Sequence, residues 1–367
     1  MIQLSKPYIP DRAIGSVVEV LKSGSLVQGE WVLKFEQVLN DYVGAGHAVL
    51  VSSGTAALHL ALVAAGIKPG DEVIVPAFTF PATANVVELI GARPVFVDIG
   101  LEDYCIAPDA IKENISSKTS AIIPVHEFGQ PADMEPIIDI AGRYSLKIIE
   151  DAACALGSEY RGEKTGNFGL AGCFSFHPRK AITTGEGGLI VTGDEELAGR
   201  LRIMRNHGIV LANQKIDFVE AGFNYRMTDM QAALGYSQIE HINAIIDHRK
   251  MISAAYDELL SSTRWIRLPR VFEDRKMVFQ SYHVLFDRSH QRDEAMAALR
   301  NNAVECNIGA YALNCLSYYR KKYSLRDSDF PNAVSAYHRG LVLPMGSHLQ
   351  VEDVQYIAGI FKELKSE

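Results

Sequence analysis

From His47 to Thr192 the chain alternates short apolar, β-branched runs with amphipathic stretches, and this alternation constrains the fold more than any other feature. His47–Ser52, Glu72–Pro76, Arg93–Val97, Ala121–Val125, Lys147–Asp151 and Gly188–Thr192 each read as a buried strand. Thr55–Gly66, Pro81–Gly91 and Asp133–Tyr144 read as helices between them. Strands and helices in this rhythm predict an α/β layer built on a mostly parallel sheet. Ligands on such sheets sit beyond the carboxyl ends of the strands, so the residues that follow each strand are where chemistry is to be sought.

Beyond Gly235 the pattern changes. Tyr236–Leu260 reads as one long helix, Arg264–Val271 as a proline-containing connection, and Val278–Phe286 as a strand. Arg292–Asn301 reads as a helix, Arg320–Phe330 as a charged turn region, and Val351–Leu364 as a terminal helix. The expectation is a large domain over residues 1–245 and a smaller C-terminal α/β domain over 246–367. A chain of 367 residues is long enough to give each its own core.

Composition excludes several classes. A net charge of −8 with no basic block argues against a nucleic-acid partner. The five cysteines are odd in number and show no C-x-x-C spacing, which argues against a zinc cluster or a simple disulfide framework. No metal is expected. The start, Met1-Ile-Gln-Leu-Ser-Lys-Pro7, lacks the pattern of a signal peptide. No run of about 18 apolar residues predicts a membrane span. A cytoplasmic protein is expected.

Three near misses narrow the field further. Gly157–Thr165 has a phosphate-loop flavour, but Glu163 stands where a lysine should follow Gly162. No strand–G-x-G-x-x-G–helix unit supports a nicotinamide site. His126-Glu127 opens like a zinc-protease helix, yet Gln130 occupies the place of the second histidine. Each is read as chance.

Four segments carry a consistent chemistry. Ser52–Leu58 ends a strand in a small-residue turn and starts a helix, where free amides and the helix dipole suit a phosphate. Gly54 permits close approach and Thr55 adds a hydroxyl, although such turns also cap ordinary helices. Pro76–Pro81 places two aromatics after a strand, of which Phe80 is chosen to stack on a flat heterocycle; plain core packing is the competing explanation. Ile148–Ala153 ends a strand in Glu150 and Asp151, and a carboxylate there can keep a pyridine nitrogen protonated. A helix-capping aspartate would look the same. Gly172–Lys180, followed by Thr183–Gly188, brings a serine and a lysine five residues apart before a glycine-rich return, the setting of a reactive lysine beside a phosphate-binding hydroxyl.

Phosphate cradle, ring stacker, nitrogen partner and lysine occur in the order that fold-type-I pyridoxal-phosphate (PLP) enzymes present them. The stretches SSGTAALHLAL, GDEVIVPAFTFPATANVV, PVFVDI, IEDAACALG, GCFSFHPRKAITTGEGG and GFNYRMTDMQAALG resemble the DegT/StrS family of sugar aminotransferases. The resemblance runs from Lys22 to Gly235 and continues more weakly through Phe330–Ala333 and Gly340–Pro344. It implies a fold-type-I α/β transferase that binds pyridoxal 5′-phosphate. Lys180 matches the cofactor lysine and Asp151 the partner of the pyridine nitrogen. Phe80 stands at the stacking position, and Gly54, Thr55, the backbone of Ala56 and Ser175 match the phosphate contacts. Within Gly222–Arg226, Asn224 or Arg226 is implied to reach the phosphate of a second subunit's cofactor, which implies a homodimer with shared sites. Many family members carry glutamine near the cofactor's phenolic oxygen, three residues after the aspartate; here that place is Cys154, a poor donor.

The subset of the family that dehydrates sugars replaces the lysine with histidine, so Lys180 points to transamination. His177 stands three residues before it, with a contact to substrate or cofactor and a structural role equally open. The activity implied is transfer of an amino group from glutamate to a keto sugar nucleotide. The GEGG and GFNYRMT segments look like those of enzymes that aminate position 4 of 4-keto-6-deoxy sugars. A 3-keto sugar, a keto-cyclitol, another PLP reaction and a non-catalytic regulator are the rivals.

Overall fold

Seven strands, most of them runs rich in Val, Ile and Leu, pair into one sheet in the computed structural model, which describes residues 1–212 and 214–364. In chain order they are β1 (His47–Val51), β2 (Glu72–Pro76), β3 (Arg93–Val97), β4 (Thr119–Ile122), β5 (Lys147–Asp151), β6 (Ala171–Ser175) and β7 (Gly188–Thr192). Their spatial order is β1-β7-β6-β5-β4-β2-β3, and β7 alone runs antiparallel to its neighbours. The expected mostly parallel α/β sheet is therefore present. Its strands are nearly continuous apolar runs because helices cover both faces. Val49, Leu50, Val73, Val75, Ile149, Leu189 and Ile190 are fully buried, each adding roughly 1.5–3 kcal/mol by leaving water.

The edge strand β1 is tied down from outside. Helix α1 spans Asp11–Ser23 and α2 spans Glu30–Val43. Glu36 of α2 accepts from Leu50 N at 2.9 Å, while Arg205 Nη1 donates to both Glu36 Oε1 and Leu50 O at 2.6 Å. A buried ion pair thus closes backbone groups that an edge would leave open.

Two expected elements shift for identifiable reasons. The run read as Ala121–Val125 stops at Ile122, because Pro124 lacks the N–H the ladder needs; Val125 keeps one isolated bridge to Asp151. The single helix expected over Tyr236–Leu260 is two, Asp229–Ile239 and Ile242–Leu260. The Arg12–Glu240 ion pair at 3.0 Å and the edge contact of Tyr8 with His241 brace the bend between them.

Helix Ile242–Leu260 crosses residue 245 and leads into the C-terminal part. There Ile266–Arg267, Tyr282–Phe286 and Gly340–Leu343 form a small antiparallel sheet. The strand expected from Val278 begins only at Tyr282, since Phe279 sits in the left-handed region at φ 48° and breaks the extended run. The region read as a charged turn over Arg320–Phe330 is partly helical, with Ser317–Tyr323 as a helix and Asp327–Asp329 as one 3₁₀ turn. The terminal helix spans Val351–Glu363.

Candidate active site

The carboxyl ends of β1, β2, β5 and β6 gather the four segments. After β1, helix α3 (Gly54–Ala64) begins with Ser53 as its cap, whose Oγ accepts from Ala56 N at 3.0 Å. That bond occupies the Ala56 amide, one of the expected phosphate donors. Thr55 is exposed on the first turn. A Cβ added to Gly54 would stand 2.8 Å from Ser175 Cβ, so only glycine lets the start of α3 lie against the end of β6. Ser175 Oγ accepts from His177 N at 3.3 Å.

The two aromatics after β2 separate cleanly. Phe78 is fully buried in the core, whereas Phe80 is 64% exposed and pairs at an angle with Tyr311, with centroids 6.3 Å apart. Phe80 is therefore the aromatic left open to solvent at this strand end.

Asp151 ends β5, buried among neutral donors. Thr83 Oγ1 donates to Oδ2 at 2.8 Å and Ala153 N to Oδ1 at 3.2 Å. Burial pushes its carboxyl pKa up, opposed by those hydrogen bonds and by the Lys180 ammonium. Sequence reasoning missed Thr83. It lies within the quoted PATANVV stretch, but nothing local marks it as the orienting donor.

Lys180 ends a turn after β6, where Lys180 N donates to His177 O at 2.8 Å. Arg249, buried and brought down to about 10 by desolvation, donates to Lys180 O at 3.3 Å. The Lys180 Nζ donates to Cys154 Sγ at 3.0 Å. Its charge lies near enough to lower the pKa values of Asp151, Cys154 and Glu127. His177 Nδ1 accepts from Arg179 N at 3.3 Å, so its ring braces this turn.

Asn224 is exposed, and its backbone bridges Asn206. Arg226 donates to Asn206 Oδ1. Their segment packs on the loop before α3, where Ser52 N donates to Tyr225 O at 2.8 Å. Beside it runs the antiparallel pair Ile209–Ala212 and Lys215–Phe218, with Leu211, Ile216 and Phe218 each more than 60% exposed.

These residues fit PLP by their own chemistry. A glycine-opened helix start beside Ser175 suits a phosphate. A buried carboxyl with only neutral hydrogen-bond donors suits a protonated ring nitrogen, and a primary amine stands in the same cluster. The motifs read as chance have other roles here. Glu159–Tyr160 and Glu163–Lys164 form a small hairpin, and His126 Nε2 bonds buried Glu150 at 3.0 Å.

Fold and site together define a PLP-dependent aminotransferase of fold type I. The chain belongs to the DegT/DnrJ/EryC1/StrS aminotransferase family, whose model matches residues 7–362. It is 38% identical to a GDP-perosamine synthase of Caulobacter vibrioides, over 90% of this chain and 88% of that one. It is 33% identical to the UDP-4-amino-4-deoxy-L-arabinose–oxoglutarate aminotransferase of Shewanella sediminis, over 99% and 98%. The structure of Streptococcus pneumoniae Spr1654 in its PLP-form superposes with a TM-score of 0.93 at 29% identity, covering 98% of this chain and 97% of that one. Among the described residues, no helix is long and apolar enough to cross a membrane.

Proposed function

We propose that this enzyme acts on a sugar, moving an amino group from glutamate to the keto carbon at position 4 of a 4-keto-6-deoxy sugar nucleotide in amino-sugar or polysaccharide biosynthesis. The 4-amino sugar and the oxoglutarate in the name of the Shewanella relative support both the position and the donor. The observation that carries the reaction type is the cluster of Lys180 with buried Asp151 at the carboxyl edge of the sheet.

PLP supplies, when bound, a protonated ring that draws electrons from the carbon bearing the amino group. Lys180 would hold the cofactor, and its Nζ, once free, would take up and return the proton of the substrate carbon. Asp151 keeps the ring nitrogen protonated, with Thr83 fixing its carboxyl. Phe80 covers one ring face. Gly54, Thr55, Ala56 and Ser175 take the phosphate, the Ala56 amide exchanging its Ser53 partner for the anion.

Asn224 or Arg226 completes the phosphate site of a second copy, and the exposed Leu211, Ile216 and Phe218 supply apolar area for that homodimer. Residues 1–245 and 246–367 serve as cofactor and substrate-wall domains of a cytoplasmic enzyme.

A small panel of keto sugar nucleotides, each incubated with glutamate, tests the reading. Formation of 2-oxoglutarate together with a 4-amino sugar nucleotide is expected. Turnover confined to 3-keto sugars or keto-cyclitols would overturn the position, and no half-reaction with glutamate would overturn the donor.

A further inference from the structure

The 3₁₀ turn Glu127–Gly129 leaves the sheet at the same edge as Asp151. Its register is fixed by Asp151 N donating to Pro124 O at 2.9 Å and His126 N donating to Asp151 O at 3.0 Å. Phe128 then adopts a left-handed φ of 56°, which surrounding packing must enforce; its ring stacks on His283 with centroids 4.5 Å apart. Gly129 lies against the next segment of the site, where an added Cβ would stand 3.1 Å from Cys154 O. The turn is thus clamped onto the stretch that carries Asp151 and Cys154.

Inside this clamp Glu127 is buried with little to bind. Among the described residues, the hydrogen bond its carboxyl receives is a long one from Phe128 N, 3.4 Å. The groups near enough to act on its charge include Asp151 at the end of β5, Cys154 just beyond it, Lys180 after β6 and the Cys105 thiol. Arg249 stands beyond Cys154, while the charged Glu102, Asp103 and Arg270, with Tyr104, Gln130 and His283, line the small cavity beside Glu127. Burial first, then the Asp151 carboxylate, push the Glu127 carboxyl up to about 8 against the pull of Lys180. At neutral pH it keeps its proton and is a hydrogen-bond donor.

Cys154 occupies the place where many relatives keep a glutamine for the phenolic oxygen. A thiol donates weakly, and this one accepts from Lys180 Nζ at 3.0 Å. Glu127, in the turn beyond the neighbouring strand β4, stands close enough to Cys154 for their charges to interact.

We propose that Glu127 is a cofactor-contacting residue that donates its carboxyl O–H to the phenolic oxygen of PLP, in place of the glutamine replaced by Cys154. The inference rests on the assignment of Lys180 and Asp151 above.

The test is the pH midpoint at which the visible absorbance of the bound cofactor changes in the holoenzyme. Losing the donor leaves the phenolic oxygen more basic, so Glu127→Leu should raise the midpoint by about one pH unit or more. Glu127→Gln keeps a donor and should stay close to wild type, and Glu127→Leu combined with Cys154→Gln should return there. A wild-type midpoint in Glu127→Leu, or no return in the double variant, overturns the proposal. Should Glu127→Leu not fold, infrared difference spectra of apoprotein against holoenzyme decide instead. A carboxylic C=O band absent from Glu127→Gln must shift when PLP binds; an unmoved band overturns the proposal. Lys180→Ala keeps the two levels apart. A colourless Lys180→Ala beside an unshifted Glu127→Leu sinks only the role of Glu127, whereas persisting lysine-linked colour sinks the underlying site assignment.

Discussion

Lys180 Nζ and Cys154 Sγ meet at 3.0 Å, joining the turn after β6 to the segment after β5. The contact gives the amine a resting partner that is neither a carboxylate nor a strong hydrogen-bonding group. A single hydrogen bond to a weakly accepting thiol is worth about 1 kcal/mol. Cys154→Ala should therefore lower kcat by no more than about tenfold, far less than loss of Lys180 itself. Steady-state rates on the two variants check this ordering.

Asp151 and Thr83 should separate by magnitude. Asp151→Asn keeps shape but removes the charge that holds the ring nitrogen protonated, and the glutamate half-reaction should slow by about three orders of magnitude or more. Thr83→Val removes the 2.8 Å bond that orients the carboxyl, together with the 3.1 Å hydroxyl contact to Thr79, and should cost about tenfold. Stopped-flow rates of the half-reaction measure both. Near-normal rates in Asp151→Asn would reduce that residue to a helix cap.

The shared site predicts complementation. Lys180→Ala and the double change Asn224→Ala with Arg226→Ala should each be inactive, because they damage different parts of one composite site. Mixed under conditions of subunit exchange, random pairing makes about half the dimers mixed, each with one intact site of two. Activity should return toward about a quarter of wild type. A dead mixture with exchange confirmed would mean that Asn224 and Arg226 serve their own chain.

Two buried groups contribute opposite pH dependences to the cofactor-free fold. Glu127, pushed up to about 8, holds a proton in the folded state that the unfolded chain releases above the ordinary glutamate range, so stability falls as pH rises through that window. His283 works in the opposite sense. Burial brings it down to about 3, with neither ring nitrogen partnered among the described residues, so stability falls as pH drops below the ordinary histidine range. Glu127→Gln should remove the loss of Tm that accompanies rising pH between about 4.5 and 8, leaving the histidine's loss of stability toward low pH. Thermal melts of the apoprotein from about pH 5 to 9 read this directly.

The sheet was legible wherever a strand is a run of Val, Ile or Leu, as in Glu72–Pro76 and Lys147–Asp151, whose bounds match the structure. Strand β6 was not, because Ala-Gly-Cys-Phe-Ser has small residues where β-branched ones would signal a strand. The bend at Glu240-His241 carries no Gly or Pro, and contacts from Tyr8 and Arg12, far away in sequence, accompany it. Within the site, the residues after strand ends could be ordered along the chain and matched to a family. Thr83 and Glu127 could not, since each acts on Asp151 or its surroundings across a tertiary contact. Glu127 was read within a failed zinc motif, and its burial is what sets its chemistry.

The central claim is that Lys180 carries the cofactor, and borohydride reduction tests it most directly. Reduction should abolish the yellow absorbance and fix the cofactor to the chain, and peptide mapping by mass spectrometry should find the adduct on Lys180. An adduct on any other lysine, or no stable adduct at all, would contradict the account.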